Sequence, residues 1–146
     1  MIYLKKFKLF ESVECYKYFS KVKNDFTIYN FSDGVYKFRV EFNMDNGDGE
    51  SEIQWFVWNG REWSFDEVST NIYSITKTIL GNILPEFIKN NKWCTSIIIK
   101  GHAKNKEKSE ITQRTIVYLR YLRNNPIPGW KLDNYINEIY LDKIED

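Results

Sequence analysis

The residues best suited to chemistry stand in one stretch: Lys100, His102, Lys104, Lys106 and Lys108, followed by Arg114, Tyr118, Arg120 and Arg123. Ammonium and guanidinium groups at this density suit phosphate or carboxylate ligands. His102 is the only histidine. As a general acid or base it needs a pocket and a second polar group, with Tyr118 or a carboxylate as the partner; on an exposed loop it is merely polar surface. A second cluster is aromatic. Trp55, Trp58 and Trp63 lie with Phe56 and Phe65 around Asn59-Gly60. Such rings stack on bases or sugars, anchor an interface, or fill a two-sided core. Residues 44–52 (MDNGDGESE) have the composition of a calcium loop but not its ligand positions. Cys15 and Cys94 match no metal or redox spacing and read as two reduced thiols. There is no phosphate-binding Gly-rich motif, nucleophile elbow, HExxH or paired-cysteine motif. The expectation is a protein that is not an enzyme and carries no cofactor or metal.

The elements that must position these residues are legible in part. Leu9, Val13 and Tyr16 share helical spacing, so a short strand or arm is expected first, then a helix from about Glu11 to Lys21. Phe26–Phe31 is rich in β-formers and Ser32-Asp33-Gly34 reads as a turn. Val35–Phe42 alternates: Tyr36, Phe38, Val40 and Phe42 lie on one face, Lys37, Arg39 and Glu41 on the other. Met44–Ser51 is an acidic, Gly-rich loop. Ile53–Trp58 is the next strand, with Trp55 and Trp58 on opposite faces. Asn59-Gly60 signals a hairpin whose return strand runs from about Glu62 to Val68. Together these form a four-stranded antiparallel meander.

Ser69 or Thr70 is the expected cap of a helix with an apolar stripe at Ile72, Ile75, Ile79, Ile83, Phe87 and Ile88. Pro85 lies inside it, so a kink near Gly81–Pro85, or two short helices in sequence, is expected. Ile97-Ile98-Ile99 within Trp93–Lys100 reads as a central strand buried on both faces. Gly101–Lys108 is a basic loop. Ser109 caps a second helix, about Glu110 to Arg123, whose first turn offers backbone N–H groups to an anion, opposed by Glu110. Residues 124–129 (NNPIPG) stop that helix. Trp130–Ile144 is either a short helix or a strand or strand pair, with alternation at Ile139 and Leu141 favouring strand. The expected fold is α+β, a mostly antiparallel sheet with an N-terminal meander and two main helices packed on one face, in a single domain over residues 1–146.

Bulk properties bound the class. The 146 residues suit one domain able to hold a core without disulfides or metal. An apolar fraction of 42% and a charged fraction of 28% argue against global disorder. Aromatic residues are abundant, with 5 Trp, 10 Tyr and 10 Phe, which favours strands. No apolar run approaches membrane-spanning length, and no secretion signal is visible, so a cytoplasmic protein is expected. The net charge of +1 conceals segregation. From Glu41 to Glu67, Glu41, Asp45, Asp48, Glu50, Glu52, Glu62, Asp66 and Glu67 face only Arg61. From Glu86 to Lys131 the basic residues far outnumber Glu86, Glu107 and Glu110. This is either a dipolar molecule with a face for an acidic partner or a set of solvated surfaces.

The layout resembles small uncharacterised proteins encoded by tailed bacteriophages. The shared features are a Tyr/Phe-rich hairpin, a meander, a helix, a branched strand and a helix with Arg-x-x-x-Tyr, here Arg114 and Tyr118. The opening Leu4-Lys5-Lys6-Phe7-Lys8-Leu9-Phe10-Glu11 is similar too. The likeness covers roughly residues 26–123 and departs at the long basic loop and the acidic hairpin. It implies a viral origin, and brings no activity and no functional residues. Three functions are therefore expected in order. The first is a non-catalytic interaction protein, plausibly phage-encoded, that binds a host or viral macromolecule through the 100–123 segment. The second is a nucleic-acid-binding protein using Lys100, Lys104, Lys106, Lys108, Arg120 and Arg123. The third is a small hydrolase or nuclease centred on His102.

Overall fold

Period-two alternation puts the strands of the described residues into one eight-stranded sheet. The computed structural model describes residues 15–43, 47–64, 71–100 and 111–144. Its elements run β1 (Tyr18–Lys23), β2 (Phe26–Ser32), β3 (Lys37–Asn43), β4 (Glu50–Trp58), β5 (Trp63–Ser64), α1 (Ile72–Thr76), a π-helical segment (Lys77–Ile83), α2 (Leu84–Asn90), β6 (Ser96–Lys100), α3 (Gln113–Asn124), β7 (Trp130–Tyr135) and β8 (Glu138–Lys143). The sheet order is β1-β2-β3-β4-β6-β8-β7, with β5 paired to β4. Every pairing is antiparallel except β4 with β6. A parallel pair needs a long crossover, and the helical run 72–90 lies within that connection. The fold is thus α+β with a mostly antiparallel sheet.

Register carries the core. Tyr29, Val40 and Trp55 stand opposite one another across β2, β3 and β4, as do Phe31, Phe38 and Val57. Ile97 and Ile99 of β6 continue this face onto Leu141 and Ile139 of β8. These side chains form one cluster with Ile75, Ile79, Ile83, Leu84 and Phe87 of the first helical run and Val117, Tyr118, Tyr121 and Leu122 of α3. Phe42 stacks on Phe87 at 4.0 Å between ring centroids, joining sheet and helix directly. No helix among the described residues is long and apolar enough to cross a membrane.

Several expectations are corrected. The helix expected at Glu11–Lys21 is replaced, in its described part, by β1, an edge strand paired along its whole length with β2. Tyr18, Phe19 and Val22 are good strand formers, and Asn24 takes the left-handed backbone (φ 53) that closes a two-residue turn. The expected caps Ser69, Thr70 and Ser109 lie outside the described residues. The caps that form are Asn71, whose side chain accepts from the N–H groups of Tyr73 and Ser74, and Thr112, whose hydroxyl accepts from Thr115 N–H. α3 therefore begins at Gln113, three residues later than expected. Ile98 is half-buried, so β6 is central but not buried equally on its two faces.

Pro85 is accommodated without breaking the helical run. The segment before it widens to π geometry, with Leu84 N–H donating to Ile79 carbonyl, and Pro85 falls in the first turn of α2. There its missing N–H and its ring are tolerated.

Candidate functional site

Of the residues that the sequence groups together, the structure describes Lys100, Arg114, Tyr118, Arg120 and Arg123. Lys100 lies on β6, 3.4 Å from the Glu52 carboxylate of β4. His102, Lys104, Lys106 and Lys108 lie outside the described residues. Arg114 stacks its guanidinium over the Trp55 ring, 4.1 Å from the centroid, rather than standing free on the surface. Tyr118 is 2% exposed and belongs to the core, because position 118 points inward with Val117 and Leu122. Burial pushes its phenol above the usual tyrosine range; the Arg114 charge and the Trp55 indole pull weakly the other way. The indole does not complete a hydrogen bond, and the Tyr118 hydroxyl is left unpartnered. Among the described members of the predicted set, Arg114 and Tyr118 come together at Trp55, and further along α3 Arg120 and Arg123 meet. With Ile111, Ile116, Leu119, Asn124 and Asn134 they line a hollow of about 430 Å³.

The start of α3 is already satisfied. Thr112 N–H and the Thr115 hydroxyl both donate to Asn137 Oδ1, at 2.8 and 2.9 Å, from the β7–β8 turn. Among the described residues no group of three His, Cys, Asp or Glu side chains is gathered to hold a metal ion. Cys15 and Cys94 are not joined in a disulfide, and Cys94 is buried.

A larger groove, of about 580 Å³, opens on the other face of the meander. Alternation places its lining. With Phe31, Phe38 and Val40 directed to the core, Phe19, Asn30 and Arg39 fall on the opposite face and stand directly across from one another on β1, β2 and β3. Lys21 and Lys37 share that face and Lys17 extends it, and all three line the groove with Ser32 and Trp63. Phe19 is 77% exposed, far from the buried state such a ring normally takes. Trp63 packs edge-on against Trp58 at 5.4 Å and lies 5.7 Å from the Arg39 guanidinium, so the β4–β5 hairpin forms the far wall. No known family model matches the chain, and no curated protein or solved structure is significantly similar to it.

Charge in the groove is lopsided. Arg39 is held by Glu41, with 2.9 Å between Nε and Oε1, though the approach is not aligned as a hydrogen bond. Among the described residues Lys17, Lys21 and Lys37 make no ion pair. On the same face the sheet turns acidic from the start of β4 onward, where Glu50 and Glu52 lie next to Ser96 and Ile98 of β6, and Asp142 and Glu138 follow on β8. Among the described residues the acidic half sets Lys100 and Lys131 against its carboxylates, Lys131 directly opposite Asp142; the basic half has spare cations. The sequence conceals this groove because the helix expected from about Glu11 to Lys21 takes in Lys17, Phe19 and Lys21, which the structure places before and along β1. The available signal was the run Tyr18-Phe19 to Val22 ending at Asn24-Asp25, a strand followed by turn residues.

Proposed function

We propose that the protein is a non-catalytic interaction protein whose contact surface is the β1–β2–β3 face, walled by the β4–β5 hairpin. On this reading both helical segments cover the opposite face, which leaves this one to a partner, and the partner is an anionic macromolecule of host or viral origin. The observation that carries it is the coincidence in one groove of three unpaired lysines with a 77%-exposed phenylalanine. The lysines alone would fit a solvated charged surface; the groove sets beside them two aromatic rings, Phe19 and Trp63, on which a partner can stack.

A second reading keeps the basic 100–123 segment as the contact, supported by the hollow that Arg120 and Arg123 share. Retention on an immobilised polyanion such as heparin separates the two. Lys21→Glu with Lys37→Glu should elute at much lower salt than wild type, with the melting temperature unchanged. Arg120→Glu with Arg123→Glu should elute close to wild type. The reverse pattern would move the contact to α3, and no retention of wild type at low salt would remove both.

A further inference from the structure

We infer that the groove takes a single-stranded nucleic acid, with an unpaired base stacked on Phe19 and the flanking phosphates on Lys17, Lys21 and Lys37. This rests on the reading of that face as the contact surface and specifies its ligand. The row across the strands is aromatic, amide, guanidinium, aromatic: Phe19, Asn30 and Arg39 in register, then Trp63 beside Arg39. A planar base has a π-face for Phe19 and an edge rich in donors and acceptors for Asn30 on the groove floor. The cations lie on both sides of that row. Lys21 is two residues further along β1, while Lys17 and Lys37 lie at the other end, Lys37 opposite Ser32. Phosphates spaced on either side of a stacked base meet that arrangement.

Other ligands fit less of it. An acidic peptide would use the lysines and leave Phe19 and the Asn30 amide unused. A duplex keeps its bases paired and stacked inside the helix, out of reach of a ring within a groove of about 580 Å³. The acidic half of the face, from Glu50 and Glu52 to Asp142, repels phosphate and ends the footprint at the meander. Three strands at about 4.8 Å spacing hold about two or three nucleotides.

The test is fluorescence anisotropy of the full chain with labelled oligo(dT) and oligo(U) 12-mers, a 12-base-pair duplex, and heparin and poly-glutamate as competitors. The expected result is preferential binding of single strands. The log–log salt slope should be about −2, given about −0.7 per contacted single-strand phosphate. Phe19→Ala should weaken single-strand binding about 10- to 100-fold, since each stacked base contributes about one to two orders of magnitude, while its heparin binding stays at wild-type level. Comparison of oligo(dT) with oligo(U) separates DNA from RNA as the source of the strand. Binding of heparin, poly-glutamate and oligonucleotides alike, indifferent to Phe19→Ala, would overturn the inference yet leave the face as a polyanion contact. Absence of binding to every polyanion would overturn both.

Discussion

At Tyr118 a phenol hydroxyl sits in the core without a hydrogen bond, an arrangement that costs stability because burial strips its water without replacing it. Tyr118→Phe should therefore leave the protein as stable or raise its stability by up to about 1–2 kcal/mol, read as an unchanged or higher melting temperature. A loss of more than about 1 kcal/mol would mean the hydroxyl has a partner. The same burial sets the alkaline limit. Tyr29 is pushed up to about 12 from 10.0, first by burial and then by the Glu86 and Tyr18 charges, and Tyr118 is raised further by burial. Folded, both phenols hold their protons more tightly than the unfolded chain does. Above pH 10 the unfolded chain therefore binds fewer protons, and stability falls as pH rises from 10 toward 12. Melting curves should be flat from neutrality to just below pH 10 and then drop, less steeply in the Tyr29→Phe/Tyr118→Phe double variant. An equally steep drop in that variant would place the effect on other groups.

Two elements are shaped by close approach and by strain. At Gly81, inside the π-helical segment, an added Cβ would run into the Tyr121 hydroxyl of α3. Tyr121 is itself 7% exposed, so its ring has little room to retreat. Gly81→Ala should cost about 1–3 kcal/mol by overpacking, seen as a fall in the denaturation midpoint. Tyr121→Phe should recover part of that loss in the double variant, a coupling that a purely local backbone effect would not produce. In the β7–β8 turn Ile136 takes φ 51, where a β-branched residue is strained. The turn is nonetheless well used, because Asn137 beside it holds the start of α3. Ile136→Gly should relieve the strain and leave stability equal or higher by about 1 kcal/mol. A loss of similar size would show that the half-buried Ile136 side chain contributes more than the strain costs.

Across the whole molecule, protection should follow the strand order rather than the chain order. β4 and β6, neighbours in the middle of the sheet, are paired on both edges, whereas among the described residues β1 and β7 each pair with a single strand. Gly49 ties the central pair at its start, its carbonyl accepting from the N–H groups of Thr95 at 2.8 Å and Ser96 at 3.1 Å. Amide exchange should be slowest at Ile53, Val57, Ile97 and Ile99 and fastest along Phe19–Lys23 and in β7. Slow exchange throughout β1 would indicate that its outer edge is covered by another chain. The electrostatic layout also belongs to this scale: spare cations collect at the β1–β3 end of one sheet face and carboxylates from the start of β4 onward, a separation that directs an anionic partner to the groove.

Local patterns were readable from the chain alone. Alternation over residues 35–42 and at Ile139 and Leu141, and the isoleucine stripe from Ile72, rest on periods of two or 3.6 residues, Asn59-Gly60 on turn chemistry and Ile97–Ile99 on a continuous branched run, and the meander and the α+β class follow from them. What depends on partners distant in sequence was not readable. The strand character of Tyr18–Lys23 is settled by pairing with β2, against the helical spacing of its neighbours. The β7–β8 turn, which puts Ile136 in the left-handed region without a glycine, gave little warning. Only tertiary packing turned Tyr118 into the core, drew Arg114 onto Trp55 and set β4 parallel to β6. It also assembled Lys17, Phe19 and Lys21 with Lys37, Arg39 and Trp63 into one groove. Side-chain direction in a strand is fixed by register, and register is a property of two strands rather than of one.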